Sequence, residues 1–599
     1  MSHVISETEG RGGVQQSESG HNQTAAWSYA QERNWFLEQA YPGHAQHRHA
    51  IGATIAGPLD VDALRAALHR VCARHDTFQR SFGPGASVPA SPTLTLDSLS
   101  GEDTRTRWIA ERSGTPFNPA SEPMLRAHLL RIRADEHVLL LVAHRYILDE
   151  EGLGLLLHEI AADLAGPQPD EPARPRFADF IDTQRHNPQQ AELLAHWRSR
   201  LAGAAPVLEL PTDLPRPPIQ AYAGASLPVD LADDLTVRLR SLASRHSVDL
   251  QAVLLAAFAT LLQRHSGQGD LVIGLRSSYR INPALARLVG PLDNTLALRL
   301  DLSADPASNA LLQLTGSALD DARRHAALPF EQLIEALQPA RNLGYAPICQ
   351  VLFDYRLAPP ARLTAGKLTL QPFPIESAST AHDLGLRIEV QGDQLSGRLI
   401  YDPALFSAAT AQRMAGHYRS LLDDLASDTP KPTSALRLLT ATEWQQLVID
   451  WNATDADYPA DSSLSRLFEA QAERTPDAPA ILGPGPALSY RELDARANRL
   501  AHHLASLGVA HETLVGVSME RSPELFIAVL AILKAGACYV PLDPDYPAAR
   551  LTAMLEDTAV SLLLSKERWL DVLPPHKAQV LCLDRDWPAI AARPASRPT

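Results

Sequence analysis

A histidine, an arginine, an aspartate and two glutamates crowd into the short stretch H-R-Y-I-L-D-E-E, His144 to Glu151. Imidazole can take or give a proton near neutral pH, a carboxylate can orient it or balance charge, and a guanidinium adds a permanent positive charge without any base. His144, Arg145, Asp149 and Glu150 are therefore candidates for proton transfer and charge stabilisation. The plain alternative is a solvated connection in which His144 is an ordinary hydrogen-bonded polar residue.

The flanking residues decide how such a group would be held. Val138 to Val142 is an unbroken apolar run after Ala134-Asp135-Glu136, the pattern of a buried strand following a turn. Leu153, Leu156, Leu157, Ile160, Ala161 and Leu164 recur at helical spacing and form one apolar face. His144, Arg145, Asp149, Glu150 and Glu151 are thus expected on a loop between a buried strand and an amphipathic helix, where rigid elements can position chemistry. Leu125 to Ile132 alternates in part and is expected to pair with the run after it across the turn.

Composition narrows the function classes. A chain of 599 residues exceeds one hydrophobic core. A net charge of −15, with Lys367 the only lysine before residue 430, excludes a lysine patch that tracks phosphates, so no nucleic-acid partner is expected. Cys72, Cys349, Cys538 and Cys582 have no paired spacing for zinc or a redox dithiol, so no metal site is expected and a reducing cytoplasm suits them. The polar amino-terminal segment lacks the features of a signal peptide, and no apolar run is long enough to span a bilayer, so no membrane partner is expected.

In chain order, 1–24 reads as a disordered tail, and Val61 to His75 carries an amphipathic helix on Leu64, Ala67, Leu68 and Val71. A Pro-rich crossing, Leu208 to Pro218, precedes a second α/β mixture: a helix over Leu250 to Leu262, strands over Asp270 to Gly274, Leu288 to Leu300 and Cys349 to Phe353, and a closing helix over Ala408 to Leu422. The stretch 431–463 reads as a linker with a short helix near Trp444. Beyond it, a capping-box helix begins at Ser489 and Glu492, and strands over Leu514 to Val517 and Cys538 to Val540 flank a helix begun by Pro523. That order gives a parallel strand-helix-strand unit.

Seven segments in order resemble the condensation domains of nonribosomal peptide synthetases: S-Y-A-Q-E-R-N-W-F-L from Ser28, R-H-D-T-F-Q-R-S-F from Arg74, the His144 to Glu150 stretch, F-A-D-F from Phe177, G-P-L-D-N-T from Gly290, H-A-A-L-P-F-E from His325 and R-N-L-G-Y-A-P-I-C-Q-V-L-F from Arg341. L-S-Y-R-E-L from Leu488 and L-K-A-G-A-C-Y-V-P-L-D-P from Leu533 are similar to the first motifs of an adenylation domain. The resemblance implies an α/β fold: two chloramphenicol-acetyltransferase-like lobes in a V-shaped condensation domain, 25–187 and 188–430, then the N-terminal part of an adenylation domain, 464–599. The adenylation part ends before its phosphate loop, so no productive ATP binding is expected of it as it stands. No cofactor is expected on the chain itself, because substrates arrive on the phosphopantetheine arms of carrier proteins upstream and downstream. The family's tunnel and motif positions fall on Asn294, Thr295, Pro329, Phe330 and Glu331.

This copy departs from the family in the third motif. Where the family has a second histidine stands Arg145, and where it has glycine stands Glu150, whose bulk is expected where backbone approaches a substrate. Asp149 is retained, and the family's structural ion pair carries over to Asp149 and Arg280. The H-R and D-E pattern is similar to the X domains of glycopeptide synthetases, which recruit tailoring oxygenases. Two readings stay open: amide formation with reduced or altered catalysis, and a catalytically silent platform for an oxygenase or carrier. An O-acyltransferase shares the fold but not the adenylation partner.

Overall fold

The computed structural model describes residues 26–598 except 81–91, 99–101, 120, 167–174, 341, 377–378 and 484–485. The expected tail at 1–24, the end of the motif that starts at Arg74, and Arg341 lie outside the described residues. The chain divides into two compact units, one ending at Asn452 and one beginning at Ala453.

The first unit is built on two six-stranded sheets. Strands β1 (Arg48–Ala56), β2 (Leu94–Ser98), β3 (Leu125–Arg133) and β4 (Glu136–His144) form most of the first. The turn at Ala134-Asp135 folds β3 back on β4 as an antiparallel pair, and β1 pairs with the other edge of β4 from Arg48 opposite His144 to Ala56 opposite Glu136. Val138 to Ala143 is fully buried, because helices α1 (Tyr29–Ala40), α2 (Val61–Ala73), α3 (Glu102–Gly114) and α4 (Glu150–Leu164) accompany this sheet. Leu64, Leu68 and Val71 of α2 share one core with Leu153, Leu156 and Ile160 of α4.

The second sheet runs β5-β12-β11-β8-β6-β7, from β5 (Ala225–Val229), β6 (Asp270–Ser278), β7 (Asp293–Asp301), β8 (Val351–Leu357), β11 (Leu384–Gln391) and β12 (Gln394–Tyr401). Its core helix, Leu250–Ser266, is buried all round from Gln251 to Leu262, which explains an apolar pattern with no polar face. The strand expected from Leu288 starts only at Asp293, since the Leu288 and Gly290 carbonyls accept from the Arg280 side chain instead of from a strand.

Strands β9 (Leu363–Ala365) and β10 (Leu368–Pro374) leave the second lobe and extend the first sheet, with β10 antiparallel to β1. The two lobes therefore share a sheet rather than meeting at one point in the sequence. The expected linker also divides. Its part up to Asn452 belongs to the first unit: Pro432 bridges Ala307, Thr433 and Ser434 bond Asp305, and Glu443 bonds His417.

In the second unit, Leu514–Ser518 lies between Cys538–Pro541 and Leu562–Ser565, all parallel, with Gln579–Cys582 at the edge. The capping box at Ser489 and Glu492 starts the helix Tyr490–Ser506. No single helix among the described residues is long and apolar enough to cross a membrane.

Candidate functional site

His144 is the last residue of β4, and α4 begins at Glu150, three residues earlier than the apolar spacing predicts. Glu150 and Glu151 are therefore helical, which corrects their placement on a loop. The reason is local: Asp149 is the N-cap, its Oδ1 accepting from Gly152 N–H at 2.6 Å, and two carboxylates in the first turn suit the positive end of the helix dipole. Only Arg145 to Asp149 remain as the connection.

Asp149 does more than cap. Its side chain is 2% exposed, and Oδ2 accepts from Leu292 N–H at 2.7 Å and from Arg280 Nη1 at 2.8 Å. Arg280, equally buried, donates through Nη2 to Gly290 O at 2.9 Å and through Nε to Leu288 O at 3.0 Å. Burial pulls this guanidinium down, but the Asp149 charge and hydrogen bond, with the charges of Glu151 and Asp293, together hold it above its ordinary value. Every oxygen and all three donor nitrogens of the pair are used, the condition under which a buried ion pair is tolerated. Gly152 makes room for it: a Cβ there would lie 2.9 Å from Asp149 Oδ1 and 3.1 Å from Arg280 Nη2.

His144 faces the other way. Its Nδ1 accepts from Tyr146 N–H at 3.2 Å, so the proton of the neutral ring sits on Nε2, aimed at Glu38 Oε2 at 3.4 Å. His47 stacks at 6.0 Å and places its Nε2 3.3 Å from the same oxygen. Burial lowers both imidazoles, His47 to about 4. Burial would raise Glu38, yet the His144 and Gly43 hydrogen bonds and the two rings bring it below its ordinary value. His144 is thus held neutral and in one tautomer, with its proton engaged.

The depressed His47 gives a prediction with a fixed sign. Between its ordinary 6.5 and about 4 the unfolded chain binds a proton that the folded chain refuses, so stability falls as pH drops through that window. His47→Gln is expected to lose less stability than the parent from pH 7 to pH 4, the difference approaching roughly 3 kcal/mol. Urea unfolding at both pH values measures it, and equal losses in the two proteins would contradict it.

Arg145 donates its backbone N–H to His47 O at 2.9 Å and accepts from Asn34 Nδ2 at 3.2 Å, so its backbone is fixed on both sides. Its side chain is only partly buried, and among the described residues its guanidinium has no hydrogen-bond or ion-pair partner.

Glu150 turns its carboxylate to the second sheet, where Arg356 Nη1 lies at 2.8 Å and Arg387 Nη1 at 3.3 Å. Register explains the grouping: Arg387 on β11 is opposite Asp354 on the adjacent β8, and Arg276 is on β6 beyond it. Asp354 accepts from Arg356 and from Arg387 Nε at 3.1 Å, and Arg276 pairs with Asp293 at 2.8 Å. Against the pull of burial, Arg356, Arg387 and Arg276 hold Glu150 well below the carboxylate range. Asp293 is pushed up to about 6, by burial above all and by the Asp149 charge.

The remaining candidates are framework. Asn294 donates to Ala326 O and Leu328 O and accepts from Thr295 N–H and Phe330 N–H, clamping the turn before the helix Phe330–Leu337, whose N-cap is Pro329. Glu331 pairs with Arg33 of α1 at 2.8 Å. Residues that sequence reasoning missed are Glu38, His47, Arg276, Asp293, Asp354, Arg356 and Arg387. The one usable signal was Asp354 and Arg356 at period two inside an otherwise apolar strand.

The group His196, Asp321 and His325 has the composition of a metal site. The two rings stack at 3.5 Å and 4°, so an ion could not lie in both ring planes, and Arg324 Nη2 already stands 3.3 Å from Asp321.

The family model described as "Condensation domain" matches residues 21–448, and that described as "AMP-binding enzyme" matches 468–597. A linear gramicidin synthase of Brevibacillus parabrevis is 36% identical over 95% of this chain, which spans 12% of that relative's length. Among solved structures, a four-domain nonribosomal peptide synthetase, holo-AB3403 bound to AMP and glycine, aligns with TM-score 0.78 at 23% identity over 94% of this chain and 44% of its own. The X-domain from teicoplanin biosynthesis aligns with TM-score 0.63 at 26% identity over 70% of this chain and 99% of its own, and it has also been solved in complex with OxyB. This chain belongs to the condensation domain family of nonribosomal peptide synthetases and continues into the first part of an adenylation domain.

Proposed function

We propose that the first unit joins a donor acyl or peptidyl thioester to an acceptor aminoacyl thioester, with catalysis reduced or altered by Arg145. The observation that carries this reading is the frame around the third motif: neutral His144 in one tautomer and the fully bonded Asp149–Arg280 pair, beside a position that has lost its base. Aminolysis of a thioester needs little activation, and holding two tethered reactants at attack distance supplies about 7 to 11 kcal/mol. In this role Asp149 and Arg280 fix the motif between the lobes, His144 shapes its floor, and Glu150 ties it to the second sheet. The reading implies carrier proteins on either side, substrates on phosphopantetheine arms, and a cytoplasmic setting. Incubating the chain with loaded donor and acceptor carriers tests it, since amide product must appear by mass.

A silent platform that recruits a tailoring oxygenase is the second reading. It is favoured by the likeness to the X-domain, with its solved complex, and by arginine and glutamate at 145 and 150. Retention of an oxygenase encoded beside this chain, with no amide product, would establish it in place of the first.

A further inference from the structure

Around the third motif most guanidiniums have found a carboxylate, and Arg48 donates to Gly43 O at 3.0 Å instead. Arg280 has Asp149, Arg276 has Asp293, Arg356 and Arg387 share Glu150 and Asp354, and Arg33 has Glu331. Arg145 has none among the described residues, and its Nε is shut off from water without an acceptor. Burial and the like charges of Arg33 and Arg276 bring it down to about 10, against the pull of Asp293 and Glu150. Both nearby carboxylates are engaged elsewhere, Asp293 by Arg276 and Glu150 by Arg356 and Arg387. The side chain is nevertheless partly open, and its backbone is fixed by His47 and Asn34. A guanidinium so placed is a preorganised fork for a planar anion, able to bind it bidentately at little ordering cost.

We propose that Arg145 receives a carboxylate carried by the group delivered to this loop, so that the thioesters favoured here bear a second, free carboxylate on their acyl part. This rests on the reading of the site as one that admits carrier-borne thioesters. It makes the arginine a specificity element: the change that removes a base also selects an acidic substrate.

The test uses the whole 599-residue chain and pantetheine thioesters that differ in one group. Succinyl-pantetheine is expected to bind about 10- to 100-fold more tightly than its uncharged isostere succinamoyl-pantetheine, the range for a hydrogen bond to a charged group. The preference should vanish in Arg145→Gln and survive in part in Arg145→Lys. Equal affinity for both thioesters in the parent, or a preference that survives Arg145→Gln, overturns the proposal. If Arg145→Gln fails to fold, the parent comparison and the lysine variant decide. Butyryl-phosphopantetheine against butyryl-pantetheine separates the other anion source: an Arg145-dependent gain there assigns the guanidinium to the arm's phosphate and also overturns the proposal. An acid preference without amide product from loaded carriers would sink the condensation reading alone, whereas amide product without acid preference would sink this inference alone.

Discussion

Replacing Arg145 by histidine is expected to raise amide formation between neutral, carrier-bound substrates by about 10² to 10⁴, the range for a positioned general base. The guanidinium cannot accept a proton and repels an attacking ammonium, whereas an imidazole there would be a base beside an already ordered His144. The backbone bonds that hold position 145 do not involve its side chain, so the new ring inherits the same anchorage. Adding Glu150→Gly is expected to return part of that gain, because it removes one of the two carboxylates that Arg356 and Arg387 share and leaves Asp354 alone to balance both. Single-turnover assays with loaded carriers measure both changes. A parent protein that turns over briskly and is slowed by Arg145→His would give the arginine a direct role in the reaction. Absence of product from either protein, with both carriers bound, would favour the platform.

Asp149→Asn is expected to cost about 3 to 5 kcal/mol of stability, the penalty for stranding one partner of a buried ion pair. The amide keeps one acceptor oxygen, enough for Gly152 N–H or Leu292 N–H but not both, so the loss combines the charge left on Arg280, whose side chain is 2% exposed, with one stranded backbone N–H. Asp149 and Arg280 connect the motif to the second lobe, so the unfolding midpoint should drop for both lobes together. Urea unfolding of Asp149→Asn, Arg280→Met and the double variant gives the coupling, and a single-variant loss below about 1 kcal/mol would mean that water reaches the stranded charge.

The strand and helix around the third motif were legible because each has a clean apolar period, and Asp149 with Arg280 was legible through the family pattern. The helix start was missed because apolar spacing first registers at Leu153, whereas a cap and two acidic residues begin the helix at Glu150. Glu38 reads as a solvated helix residue until Gly43 and the two histidines are folded against it. Asp354, Arg356 and Arg387 alternate with apolar residues as outward-facing side chains do, and Arg276 stands before two serines at the end of its strand. What covers their face is the beginning of α4, far away in sequence, and no local pattern carries that information.

The excursion of β9 and β10 into the first sheet bears on how the chain is made. A ribosome releases β1, β2, β3 and β4 early, but β1 gains its second neighbour only when residue 374 has emerged. Until then Ile51 to Ala56 present an unpaired edge while the whole of β5 to β8 is still being synthesised. Open edges of this kind invite pairing with other chains. A gene cut near the Pro-rich crossing would make that waiting state permanent, so a first lobe expressed alone should aggregate, and a host that slows translation between the lobes should yield less of the whole protein.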